Sequence, residues 1–157
     1  MRKIIRIFLL VLFVAFAVAQ FFQPEKNINE ASEDNILALH PVPDDVAQTL
    51  KNSCFDCHSN KTRYHWYHNI SPVSWMVADH IIEGKKELNF SEWGKMDVFS
   101  QITKLEEMCQ ESEHGKMPLK SYLLMHPKAK LSEEQLAALC DWTTKLSEEL
   151  LAKAAEE

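Results

Sequence analysis

The string Cys54-Phe55-Asp56-Cys57-His58 constrains this chain more than any other feature, because its C-x-x-C-H spacing ties three reactive side chains to about one helical turn. Two thiols three residues apart face the same side of a helix, where they can reach two vinyl groups along one edge of a porphyrin. The next residue then falls under the ring. There His58 can offer one imidazole nitrogen to iron, while the other donates a hydrogen bond that fixes the ring and tunes its basicity. The expectation is one covalently attached haem c, held by Cys54 and Cys57 and ligated by His58.

Three other uses of the same residues compete. A dithiol redox pair of the thioredoxin type requires C-x-x-C beside a βαβ pattern, which this sequence lacks. A zinc site requires four ligands, and His65 and His68 are the nearest additions to the two thiols. A structural disulfide between Cys54 and Cys57 leaves His58 unexplained.

The redox environment bears on this choice. Residues 1–22 open with Arg2, Lys3 and Arg6, continue as an uncharged apolar run, and meet Gln20 and a polar stretch. This reads as a transmembrane anchor or a signal sequence. Ala17-Val18-Ala19 resembles a cleavage site, whereas Ile4 to Phe22 approaches the roughly 20 residues that span a bilayer. The Phe21-Phe22 pair and the basic start favour an anchor with its first residues in the cytoplasm. Either way the rest of the chain is expected in the periplasm or otherwise outside the cytoplasm, where thiols oxidise. The net charge is −6, and without Arg2, Lys3 and Arg6 it becomes −9, with 14 basic against 23 acidic residues. Such an acidic domain disfavours nucleic acid as a partner. The membrane, through the N-terminal helix, and an unidentified redox protein are the partners expected.

Few glycines, a Glu/Lys/Leu/Ala-rich second half and no sustained alternation predict an all-α fold, a small helical domain behind the N-terminal helix. Residues 23–43 have little apolar surface and read as a tether, with the domain spanning 44–150. Asp44 or Asp45 can cap a first helix carrying Val46, Leu50 and Cys54 and running into the motif. A second is signalled by Ser71 as N-cap, Pro72, Val73, Val77, Ile81 and a terminating Gly84. A third starts near Asp97 and ends before Gly115, with Val98, Ile102, Leu105 and Cys109 on one stripe. The last begins at Ser132, with Gln135 at capping-box spacing, and carries Leu136, Leu139, Cys140 and Leu146.

Downstream, Gly115-Lys116-Met117-Pro118 followed by Leu131-Ser132-Glu133-Glu134-Gln135-Leu136-Ala137-Ala138-Leu139 resembles the distal half of a class I cytochrome c, in which a Met-Pro loop precedes the closing helix. The stretch from Cys54 to Trp142 is similar to the haem-binding domain family, characterised by the C-x-x-C-H motif. Trp66-Tyr67, Pro72-Val73-Ser74-Trp75, Glu83-Gly84 and Leu88-Asn89-Phe90-Ser91-Glu92-Trp93 carry that likeness with the motif. The resemblance implies haem and a cytochrome c-like helical domain, without a physiological role.

The loop also argues for Met117 as the sixth ligand. Gly115 can end a helix, Pro118 delays the next, and the irregular backbone between them can turn one side chain inward. His80 is the runner-up, and His65, His68, His114 and His126 are further candidates. Trp66, Tyr67, Trp75, Phe90 and Trp93 serve either as haem neighbours or as ordinary core. Cys109 and Cys140 stand on apolar stripes of helices expected to be adjacent, as a disulfide or as two buried thiols.

Single-haem electron transfer with His/Met ligation is the function expected first, because it needs no substrate pocket. A peroxidase-like enzyme or a haem-based sensor is the alternative, and requires a displaceable sixth ligand. Whether the chain is an enzyme stays open, with an electron carrier preferred.

Overall fold

The computed structural model describes residues 1–29 and 32–156. Among these the α-helices are α1 (Arg2–Ala19), α2 (Ile36–Leu39), α3 (Asp44–Ser53), α4 (Phe55–His58), α5 (Val73–Glu87), α6 (Val98–Glu113), α7 (Lys120–Met125) and α8 (Glu133–Glu156). Short 3-10 turns cover Trp66–Asn69, Phe90–Lys95 and Pro127–Ala129. No strand forms among the described residues, and Ile28 and Lys61 make an isolated bridge. The fold is all-α, as the composition and periodicity require.

α6 and α8 form the principal helix pair, with α3 laid against α8. Leu105 of α6, Leu139 and Leu146 of α8, and Val46 and Leu50 of α3 meet there, all but removed from water. Burying each large aliphatic side chain contributes about 1.5–3 kcal/mol. Local signals set the helix ends. Asp97 accepts hydrogen bonds from the amides of Phe99 and Ser100, and Ser132 and Gln135 exchange reciprocal capping bonds. Cys109 and Cys140 are joined as a disulfide, their Cα atoms 5.0 Å apart across the α6–α8 contact.

The structure corrects several expectations. Among the described residues no helix is long and apolar enough to cross a membrane, so the N-terminal membrane helix is not supported. Arg2, Lys3 and Arg6 occupy the start of α1, and the helix stops at Ala19. The uncharged run Ile7–Ala19 rises about 20 Å at about 1.5 Å per residue, against a hydrocarbon core of about 30 Å.

The segment 23–43 expected as a tether is packed on the domain, as is Gln20 just before it. Gln20 makes paired bonds to the Ser71 backbone, 3.0 and 3.1 Å, and Gln23 donates to the Ser71 hydroxyl. Ile36 is completely buried in the core, Asn35 caps α2, and Trp142 donates to the Pro41 carbonyl. Residues 30 and 31 of that segment lie outside the described residues. Few apolar side chains sufficed, because Ile36, with Leu37 and Val42 packed against the core beside it, and side-chain bonds to backbone replace a continuous stripe.

Helix boundaries shift where backbone geometry intervenes. Pro43 rather than an aspartate is the N-cap of α3, with Asp44 and Asp45 in its first turn. α3 does not run straight into the motif, because Cys54 leaves helical geometry at φ −121° and ψ −44°. Ser71 is buried in contact with Gln23 and Ser74, so Pro72 occupies the N-cap of α5, and the helix continues through Gly84 to Glu87.

Candidate functional site

The break at Cys54 starts a separate short turn, α4, in which the amides of Cys57 and His58 both donate to the Cys54 carbonyl. α5 crosses this turn at Gly84. A Cβ built there would stand 2.9 Å from the Cys57 carbonyl oxygen and 3.2 Å from the Cys57 Cβ, so only glycine admits this approach. That contact explains a glycine inside a helix, where it otherwise costs about 1 kcal/mol.

Beside the crossing lies an open cleft of about 660 Å³. It is within the roughly 300–1,000 Å³ usual for small-molecule and cofactor sites. Cys54, Cys57 and His58 line one part of it; Val77, His80 and Ile81 come from α5, and Met117 and Tyr122 from the distal segment. The structure therefore brings all four sequence-predicted site residues, and the runner-up His80, to one predominantly apolar cavity. Of the aromatic candidates, Trp66 and Tyr67 line the cleft, whereas Phe90 and Trp93 are buried core residues. Trp75 instead donates its indole N–H to the Phe22 carbonyl, 2.6 Å away.

His58 is oriented for ligation. Its Nδ1 lies 3.0 Å from the Leu88 carbonyl oxygen, which can only accept, so Nδ1 carries the proton and Nε2 keeps a free lone pair. Leu88 is itself placed by its amide bond to the Gly84 carbonyl, 2.9 Å. Burial lowers the His58 pKa, outweighing the bond to the Leu88 carbonyl that raises it, which favours the neutral imidazole that metal ligation requires.

The two motif thiols are free and unpaired with each other. Burial pushes Cys54 up to about 12, helped by the neighbouring Cys57, and Cys57 up to about 11, helped by Asp56. Thiols this weakly acidic do not resemble the low-pKa nucleophile of a dithiol oxidoreductase. Nor do His65 and His68 complete a zinc site. The His65 amide donates to His68 Nδ1 at 3.0 Å, and among the described residues no third Cys, His or carboxylate ligand atom converges on the motif pair.

Met117 reaches the cleft through the turn that closes α6. Gly115 adopts φ +64°, and the amides of Lys116 and Met117 both donate to the Glu111 carbonyl at 3.0 Å. This reverses the chain and brings Met117 to the cavity wall. His114 is exposed at the same helix end, and His126 stacks on Tyr122 with ring centroids 4.1 Å apart.

Sequence reasoning missed Asp56. Only 4% exposed, its carboxylate takes the Arg63 side chain at 3.0 and 3.2 Å, the Arg63 amide at 3.2 Å and the Tyr122 hydroxyl at 2.7 Å. A charged residue between the two cysteines was its only visible signal, since the donors lie seven and 66 residues away.

The residues fit the cofactor that the motif implies. Two unpaired thiols, an imidazole with one free nitrogen, and a thioether share an apolar wall, and the crossing at Gly84 keeps the motif turn against α5. A slot of this chemistry suits a flat, apolar, iron-bearing macrocycle and places the chain among helical haem proteins. The chain matches the haem-binding domain family over residues 14–145 and belongs to it. No curated protein and no solved structure matches the chain.

Proposed function

We propose that this chain carries one c-type haem and transfers electrons outside the cytoplasm, at a membrane surface. The observation that carries this reading is the convergence of Cys54, Cys57, His58 and Met117 on one apolar cleft. Cys54 and Cys57 would hold the porphyrin edge as thioethers, and His58 Nε2 would ligate the iron. When bound, haem supplies one-electron redox chemistry. Leu88 keeps His58 in the ligating tautomer, and the predominantly apolar wall suits the porphyrin face. Met117 is the sixth ligand in this reading, since a thioether raises the potential relative to a second histidine, and His80 is its competitor on the same wall.

Two features support export. The Cys109–Cys140 disulfide suits an oxidising compartment, and the uncharged run Ile7–Ala19 has the length of a signal-sequence core, about 7–15 residues. The side chains of α1 are unburied, which leaves its apolar surface free for lipid.

A displaceable sixth ligand, serving peroxide reduction or sensing, is the second reading. It is favoured by α7, which follows Met117 closely and buries none of its residues. Haem staining on a denaturing gel tests covalent attachment: the unaltered chain retains stain and the double variant Cys54→Ala, Cys57→Ala loses it. Equal staining of both would refute the reading. Carbon monoxide added to the reduced protein separates the two functions, since a saturated iron responds slowly and an open one at once.

A further inference from the structure

The segment that follows Met117 is tied to the motif side of the cleft by two polar contacts. Pro118 before α7 and Ala129 after it are buried, but α7 itself has no buried residue, so polar contacts carry much of what fixes the helix between these two points. The Tyr122 hydroxyl donates to Asp56 Oδ2 at 2.7 Å, and the Tyr67 hydroxyl pairs with His126 Nε2. Both ties join the distal segment to the motif side: Asp56 stands between the two cysteines, and Tyr67 lines the cleft from the turn Trp66–Asn69. The stack of His126 on Tyr122 makes the two ties one unit.

Asp56 is a firm anchor. Arg63 holds it from the side, with Nε on Oδ1 at 3.0 Å and Nη2 on Oδ2 at 3.2 Å. A buried carboxylate deprived of one donor keeps its desolvation cost, so water replaces the tyrosine poorly.

We propose that Tyr122 and Asp56 form a latch that keeps the Met117 segment in place at the haem cleft and thereby sets how often the sixth ligand leaves the iron. The inference rests on the haem reading above. Tyr122 is a positioning residue, acting through Met117. The latch also accounts for an acidic residue inside the motif, where a buried charge is otherwise unfavourable.

The test uses the full-length haem-loaded protein and its Tyr122→Phe and Tyr67→Phe variants. A hydrogen bond to a charged group changes an opening equilibrium roughly 10- to 100-fold. Tyr122→Phe is therefore expected to keep covalent haem on a denaturing gel, weaken the sulfur-to-iron charge-transfer band, and capture carbon monoxide roughly 10- to 100-fold faster. Amide exchange rises in residues 117–126 but not in α6 and α8. Tyr67→Phe shifts the same readouts less, and Lys145→Ala, which removes an exposed ion pair with Asp141 on α8, leaves them unchanged. Unaltered capture and band in a fully loaded Tyr122→Phe protein overturn the latch, as does exchange that rises equally in α6 and α8. Absence of covalent haem from the unaltered protein overturns the c-type reading instead, and amide exchange in 117–126 still decides the latch.

Discussion

Replacing Gly84 by alanine sets two physical effects in opposition. Alanine in a helix interior is favoured over glycine by about 1 kcal/mol. At this position, however, the new Cβ lies 2.9 Å from the Cys57 carbonyl oxygen, 3.2 Å from its Cβ and 3.3 Å from its carbonyl carbon. Ordinary contact begins near 3.4 Å, so the motif turn must retreat by about 0.5 Å from α5. The obstructing atoms are mostly backbone and cannot swing aside, and overpacking of this kind costs about 1–3 kcal/mol. The net expectation is a loss of up to about 2 kcal/mol, which at about 2–4 °C per kcal/mol lowers Tm by several degrees. The displacement also stretches the His58–Leu88 bond, because His58 rides on the moving turn while Leu88 closes α5. Thermal unfolding with and without haem, together with the extent of haem attachment, measures both consequences. A Gly84→Ala protein about 1 kcal/mol more stable than its parent, with full attachment, would show that the glycine answers no steric demand and would refute the argument.

Ile36→Ala tests whether the stretch before α3 belongs to the core: its complete burial predicts a loss of about 2–5 kcal/mol in denaturant unfolding, where a tether residue would cost under about 0.5 kcal/mol. Burial, with His65 and His126 nearby, pushes His68 down to about 4 from the ordinary 6.5, so between these values the unfolded chain binds more protons. Stability is accordingly full above about 6.5 and falls as pH drops towards about 4. Unfolding midpoints across that window should slope less in His68→Gln, and an identical slope would exonerate His68. Met117→Ala is expected to abolish the sulfur-to-iron band and lower the midpoint potential; an unchanged band and potential would transfer the sixth position to another residue, His80 first.

What the sequence determined by itself is local. Both ends of α6 and the start of α8 follow from Asp97, Gly115, Ser132 and Gln135, whose side chains or backbone act on amides within one turn. The all-α class follows from periodicity, and the motif follows from a spacing that one helical turn enforces. The break at Cys54 has no breaker residue to announce it, and the passage of α5 through Gly84 was invisible because it depends on how α5 crosses the motif turn. Tertiary structure alone decided that Cys109 and Cys140 meet, that Ile36 enters the core, and that Phe90 and Trp93 pack away from the cleft. It also supplied the partners that give the site its chemistry: the Leu88 carbonyl, 30 residues from His58, and the Tyr122 hydroxyl, 66 residues from Asp56. A capping bond is dictated by backbone geometry within a few residues, whereas a carbonyl or hydroxyl so far along the chain finds its partner only when the packing of whole helices brings the two together.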